Sequence, residues 1–308
     1  MTMNFSDKDG FIWLDGEWLP WREAKVHVLT NTLHYGLGVF EGMRVYLTSK
    51  GSAIFRLEDH VNRLYDSAKL VHLVINQDKK TVLQTCVNVL KKNNLTEAYI
   101  RPMVFLGSEG MGLHAKHLKT HMMIAAWEWG AYLGEGALTQ GIRIKISSYR
   151  RNHIDSLHAK AKVNGQYVNS MMALREAQIC GFDEALMLDH LGFVAEGSGE
   201  NFFMVKDGEV FTPSPETILL GITRDTVLKL CHDLGIPVHE TQIARDSVYL
   251  ADEAFFTGTA AEITPIREVD GRVIGDGKPG PITLKLQQAY FDIVKGRNVQ
   301  HANWLTVT

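Results

Sequence analysis

Cysteine is scarce in this chain: Cys86, Cys180 and Cys231 are the only three in 308 residues, and no pair has CxxC spacing. So dispersed a set supports neither a disulfide framework nor a structural zinc site, and reduced thiols in a cytoplasmic protein are expected. An excess of one charge is missing too. Lys plus Arg total 32 against 35 Asp plus Glu, a net charge of −3, which leaves no basic surface for nucleic acid. Long apolar runs are also absent. The longest, residues 122–127, falls far short of the roughly 20 residues a membrane helix needs. Residues 1–10 contain Asp7, Lys8 and Asp9 and no apolar stretch, so no secretory signal is expected. Neither GxxxxGK[ST] nor GxSxG occurs, which removes a P-loop and a serine-hydrolase elbow. With 45% hydrophobic residues, the composition is that of an ordinary globular protein.

The length allows two domains. A hairpin is expected at 11–19, where Phe11-Ile-Trp-Leu14 and Glu17-Trp-Leu19 flank an Asp15-Gly16 turn. Strand-like text follows over 38–47. Apolar periodicity predicts helices over 57–71 and 80–92, and strands over 98–105 and 121–129 complete an antiparallel α+β unit. Glycines 130, 134, 136 and 141 then mark a boundary. We therefore expect a small domain over 1–128, an interdomain loop over 129–136 and a large domain over 137–308, with a cofactor between the two domains. The large domain should hold a strand at 143–148, a helix at 166–179 and strands at 184–188 and 201–205. After these come a helix with Thr223 as N-cap, strands near Pro237 and Ala254, and a final helix at 282–294.

Two apparent motifs are set aside. Gly275-Asp-Gly277-Lys-Pro-Gly280 matches GxGxxG, but without a strand before it or a helix opening inside it, this is turn text. His114, His117 and His121 sit where a loop runs into a strand, so they share no helical face, and no nearby carboxylate is expected to complete a metal shell.

Several dispersed segments carry polar residues suited to one site. Lys162 lies just before a helix; a partly desolvated lysine can act as a Schiff-base nucleophile, although Lys160 is only two residues away. Glu196 lies in a glycine-rich turn between apolar strands, where a carboxylate needs a cation partner. That partner could be a pyridinium nitrogen or an ordinary salt bridge. Residues 221–225 open a helix and residues 257–261 form a small-residue loop, both sources of backbone N–H groups for an anion. Taken singly, each segment is equally well explained by caps, turns and surface charge.

Together they carry a resemblance. The segments are His34-Tyr-Gly-Leu-Gly-Val-Phe-Glu-Gly-Met-Arg44, Arg63 within 55–64, Tyr99-Ile-Arg101-Pro102, Trp129-Gly-Ala-Tyr-Leu133 and Lys162 with Tyr167 five residues on. Glu196-Gly-Ser-Gly-Glu-Asn201, Gly221-Ile-Thr-Arg-Asp225 and Gly258-Thr-Ala-Ala-Glu-Ile-Thr-Pro265 complete the set. In this order the chain resembles the branched-chain-amino-acid aminotransferases of the fold-type IV pyridoxal-phosphate class, from about residue 11 to 291. The resemblance implies a mixed α/β, two-domain fold: a small antiparallel α+β domain and a larger domain with a β-barrel-like core and surrounding helices.

It also implies roles. Lys162 would be the Schiff-base lysine, since Lys160 lacks the register to Tyr167. Tyr167 would bond the phenolic oxygen of pyridoxal 5′-phosphate, and Glu196 would keep its ring nitrogen protonated. Arg63, Ile222, Thr223 and Thr259 would hold the phosphate, with Gly199, Leu220 and Gly258 lining the cofactor site and no metal required. Tyr99, Arg101, Ala260 and Ala261 would meet substrate carboxylates, and Phe40, Trp129 and Tyr132 the side-chain pocket. Tyr35 and the loop carrying Met111 and Leu113 would complete it, the loop arriving from a neighbouring subunit. Two residues depart from the family pattern: Gln166 where Asn is common before the Tyr, and His114 after the Gly-Met-Gly loop.

The implied activity is ping-pong transamination of L-leucine, L-isoleucine and L-valine with 2-oxoglutarate, giving branched-chain 2-oxo acids and L-glutamate, in a homo-oligomer with a dimer as the minimal unit and a hexamer as the larger candidate. The alternatives are a D-amino-acid aminotransferase or aminodeoxychorismate lyase of the same fold, and a non-enzymatic scaffold. The Tyr99-x-Arg101 pair and Trp129-Gly-Ala-Tyr132 favour the first activity, and Lys162, Tyr167, Glu196 and Arg63 in one chain speak against a scaffold.

Overall fold

The computed structural model describes residues 4–114, 117–130, 133–134 and 136–308. The chain divides into two compact units, Met1–Trp129 with Ala161–Gly165 and Val294–Thr308, and Gly130–Lys160 with Gln166–Ile293. The division differs from a single cut near 129–136, because two later segments return to the first unit. Ala161–Gly165 is held there by the Val39–Val163 bridge and by the Lys162 N–H donating to Ser67 Oγ at 3.0 Å. The C-terminal strand Leu305–Val307 pairs with Gly51–Phe55. Neither link is visible in local periodicity.

The first unit is built on an eight-stranded antiparallel sheet. Its order is Leu305–Val307, Gly51–Phe55, Met43–Thr48, Ala98–Leu106, Thr120–Trp127, Phe11–Leu14 and Glu17–Pro20, with Gly38–Phe40 also pairing with Ala98–Leu106. The hairpin forms as expected, with Trp13 opposite Trp18 and Asp15 at φ 50° in its turn. Helices Leu57–Leu70 and Lys79–Lys92 present Val61, Leu64, Val82, Val89 and Leu90 to a core shared with Val45, Ile100, Val104 and Ile124. Asp78 caps the second helix by accepting from the Thr81 N–H at 2.7 Å, which satisfies one of the donors a helix start leaves open.

The second unit contains a barrel. Val194–Gly197, Glu184–Leu188, Ile142–Arg150, Glu262–Val269, Glu253–Gly258 and Asn201–Lys206 follow one another, and pairing of Glu196 with Asn201 closes the ring. Closure leaves no sheet edge among these six strands. Side chains alternate as strand geometry requires. Phe202, Met204, Ala254 and Phe256 join one core cluster with Ile144 and Leu186, while Phe203 stacks on Phe255 at 5.1 Å apart from that cluster. Helix Tyr167–Ile179 lays Ala173 and Ala177 against Ala185 and Met187. Helix Ile222–Asp233 starts two residues earlier than expected, with Gly221 in the cap position in place of Thr223. Glu196 itself lies in a strand and not in a turn.

The GxGxxG stretch is explained by packing. A Cβ on Gly280 would collide with Glu253, whose carboxylate accepts from the Ile282 N–H at 2.9 Å and the Thr283 N–H at 2.7 Å and so caps helix Pro281–Val294. Among the described residues, no helix is long and apolar enough to cross a membrane.

Candidate active site

In the first unit, Phe40 is the meeting point. The N–H of Phe40 donates to the Lys162 carbonyl at 3.1 Å, which sets the lysine beside the ring; Lys162 Nζ lies 4.9 Å from the ring centroid. The guanidinium carbon of Arg101 is 4.6 Å from the same centroid and 5.5 Å from that of Tyr99. Arg101 Nε is buried without a hydrogen-bond partner among the described residues, so one donor of a stacked guanidinium is held ready for an anion. Tyr99 is edge-on to Trp129 at 4.5 Å. Gly42 makes this possible, since a Cβ there would overlap the Tyr99 hydroxyl.

Arg63 projects from helix Leu57–Leu70 onto Glu41, with Nε 2.6 Å from Oε1 and Nη2 3.0 Å from Oε2. Burial alone would raise the Glu41 carboxyl, but the charge of Arg63 and the hydrogen bonds from Arg63 and His60 outweigh it and hold it well below the ordinary range. Burial keeps His60 below its usual value. A neutral imidazole facing an ionised carboxylate must donate, so the His60 Nδ1–H donates to Glu41 Oε2 at 2.7 Å.

Tyr35, Met111 and Leu113 are exposed, Leu113 to 85%. The loop holding the latter two is tied to helix Asn31–Tyr35 by Asn31 Nδ2 donating to the Gly112 carbonyl at 3.0 Å. Tyr132 lies outside the described residues.

In the second unit, the barrel-closing residue Glu196 is nearly buried and does meet a cation, Arg151 Nη2 at 2.9 Å from Oε1. Its Oε2 accepts from the Leu219 N–H at 3.1 Å and from Asn201 Nδ2 at 3.3 Å. The Asn201 amide also donates to the Leu219 carbonyl at 2.9 Å, which ties Glu196 to the segment leading into helix Ile222–Asp233. A Cβ on Gly221 would collide with Asn201, and Gly221 supplies no side-chain cap. Ile222 and Thr223, both buried, form the first turn, whereas Leu220 is exposed. Gly258 ends its strand beside Gly199, and the turn of Thr259, Ala260 and Ala261 follows. That turn runs into Glu262 at φ 57°, a left-handed conformation unusual for a side chain of this size. Tyr167, half-buried, begins its helix; Arg151 reaches that helix through Ser170 Oγ at 3.3 Å.

Lys160 belongs to the second unit, unlike Lys162. Its Nζ is buried without a hydrogen-bond partner among the described residues, and burial lowers its pKa.

Sequence reasoning assigns no role to Arg151, Glu41 or His60. The demand of Glu196 for a cation is the available signal for Arg151; Glu41 and His60 give none beyond lying in quoted motifs. The histidine cluster needs one correction. His121 sits in a strand, with Nδ1 2.5 Å from Asp15 and Nε2 3.4 Å from Glu109, so carboxylates are near it after all. Among the described residues, no three His, Cys, Asp or Glu side chains form a group able to hold a metal.

Comparison with known proteins gives one consistent result. Residues 38–269 match the family described as amino-transferase class IV. The branched-chain-amino-acid aminotransferase of Pseudomonas aeruginosa is 56% identical over 305 residues, covering 99% of each chain. The crystal structure of the Escherichia coli branched-chain amino acid aminotransferase superposes with a TM-score of 0.95 at 46% identity, covering 97% of this chain and 99% of that one. The T.th. branched-chain amino acid aminotransferase complexed with N-(5′-phosphopyridoxyl)-L-glutamate superposes with a TM-score of 0.94 at 44% identity over the same shares. With three quarters of its length inside the family match and relatives aligned end to end, this chain belongs to the class IV aminotransferases, in the group of the branched-chain-amino-acid aminotransferases.

Proposed function

We propose that this protein transfers the amino group of L-leucine, L-isoleucine or L-valine to 2-oxoglutarate, with pyridoxal 5′-phosphate as cofactor, in a ping-pong cycle through a Lys162 Schiff base. The observation that carries the reading is the convergence of Lys162 and Arg101 on one ring, Phe40. A reactive amine and a carboxylate-binding cation beside an aromatic wall are what an aliphatic amino acid requires.

The residues present fit the cofactor. Arg63 and the uncapped first turn at Ile222 and Thr223 suit a phosphate, together with Thr259. Glu196, anchored by Arg151 and Asn201, suits a protonated ring nitrogen, and Tyr167 the phenolic oxygen. When bound, the cofactor supplies an electrophilic carbonyl and an electron-withdrawing ring. Lys162 Nζ would take the Cα proton of the substrate and pass it on to the cofactor's carbonyl carbon, and Glu196 would hold the proton on the ring nitrogen. Arg101, Tyr99 and the turn of Ala260 and Ala261 orient substrate carboxylates, and Phe40 and Trp129 contact the aliphatic chain. The phosphopyridoxyl-glutamate complex of the T.th. enzyme supports both the cofactor and glutamate as a partner.

Homo-oligomerisation, with a dimer as the minimal unit, is supported by the exposed Val26, Val28, Leu29, Leu33 and Tyr35; a cytoplasmic location is consistent with the exposed free thiol of Cys180.

A panel of L- and D-amino donors with 2-oxoglutarate as acceptor tests the proposal. Turnover of L-leucine, L-isoleucine and L-valine, lost in Lys162→Ala, is expected; activity confined to D-donors, or retained in Lys162→Ala, overturns it.

A further inference from the structure

Arg63 is a long side chain that could adopt several rotamers, yet its guanidinium is pinned along one edge. The inner end of the clamp is rigid. Glu41 follows strand Gly38–Phe40, and its own N–H donates to the Pro102 carbonyl at 2.9 Å. Its carboxylate is fully buried, so it is costly unless every lone-pair direction is used. Oε1 accepts from Arg63 Nε, and Oε2 accepts from Arg63 Nη2, from His60 Nδ1 and from the Gly42 N–H, the last at 3.2 Å. His60 and Arg63 stand three residues apart on helix Leu57–Leu70, hence on one face, and converge on the same group. A bidentate pair along the Nε/Nη2 edge directs the Nη1 side of the guanidinium away from Glu41. It also balances the charge of Arg63 when no anionic ligand is bound.

We propose that Glu41 and His60 are positioning residues that hold the Arg63 guanidinium in its phosphate-binding orientation. The inference rests on the assignment of Arg63 to the cofactor phosphate and deepens it: the carboxylate sets the plane of the guanidinium, and His60 sets the carboxylate.

The test separates phosphate binding from everything else. Full-length protein freed of cofactor is titrated with pyridoxal phosphate and, separately, with pyridoxal, and the ratio of dissociation constants isolates what the phosphate contributes. Glu41→Gln is expected to cut that ratio by about tenfold, the scale of one charge-assisted hydrogen bond, with pyridoxal affinity within about twofold of wild type. His60→Leu should cut it by roughly threefold, and His60→Asn, whose amide N–H replaces Nδ1–H, should restore it. If Glu41→Gln does not fold, the two His60 variants decide. Equal losses for both ligands, or an unchanged ratio, while Arg63→Lys still lowers the ratio, overturn the positioning role. An unchanged ratio in Arg63→Lys overturns the phosphate assignment itself.

Discussion

Glu41 in the first unit and Glu184 in the second are equally hidden, with side chains 0% and 1% exposed, yet their carboxyls are driven in opposite directions. Burial opposes ionisation at both. At Glu41 the Arg63 charge and the hydrogen bonds from Arg63 and His60 overcome it and the carboxyl is pushed down. Glu184 has no cation partner among the described residues. Its Oε1 accepts from the Ala185 N–H at 2.6 Å, and burial pushes it up to about 7. Depth therefore does not set the charge state of a carboxylate here; the neighbouring cation does. Glu196 belongs with Glu41 in having an arginine, but its bonds are spread over 2.9–3.3 Å, and it closes a barrel at a strand end.

Three substitutions probe that contrast. Removing the counter-charge in Glu41→Leu takes two charge-assisted hydrogen bonds from the largely buried Arg63 guanidinium and one acceptor from His60, so chemical denaturation should show a loss of about 3–5 kcal/mol. A loss under about 1 kcal/mol would show that Arg63 transfers its charge to another partner. Glu196→Gln should lower turnover by about 10²-fold, the scale of one preorganised electrostatic contact, with a far smaller stability loss than Glu41→Leu. Unchanged turnover would move Glu196 into the structural class.

The smallest effect concerns pH. The Glu184 carboxyl is raised in the folded chain from its ordinary 4.5 to about 7. Its contribution to stability is therefore complete below about pH 4.5 and is lost as pH rises through about 7. Because Gln cannot ionise, Glu184→Gln should gain about 1–3 kcal/mol on wild type between about pH 5 and pH 8. A pH-independent difference between the two would mean that Glu184 is ionised throughout.

Much of the architecture is legible in the sequence. The first hairpin, the helices at 57–71 and 80–92 and the strand at 184–188 agree with the structure to within a residue, because each carries its own period or turn residues. For the helix at Ile222 the expected start is two residues late, since Thr223 is a good cap by type, but the backbone gives that position to Gly221, the residue that clears Asn201. Strand Leu305–Val307 escapes sequence reading because three residues carry no period and its partner is Gly51–Phe55, far away in sequence. Of the site, the motifs name the polar side chains but not the arginine that meets Glu196. Arg151 lies 45 residues before it, and no spacing rule links a loop arginine to a strand carboxylate.

The amino-acid sequence by itself determined the local elements, the two-domain size and the residue types, since turns, caps and periodic faces are short-range properties of the chain. It also carried enough ordered motifs to imply the family. The tertiary structure decided which charges meet: that Lys162 joins the first unit while Lys160 stays with the second, that Phe40 gathers Lys162 and Arg101, and that Glu41 is ionised while Glu184 is pushed towards neutrality. Those outcomes depend on desolvation and on groups tens of residues apart, and only the closed sheet and barrel bring such groups within reach of one another.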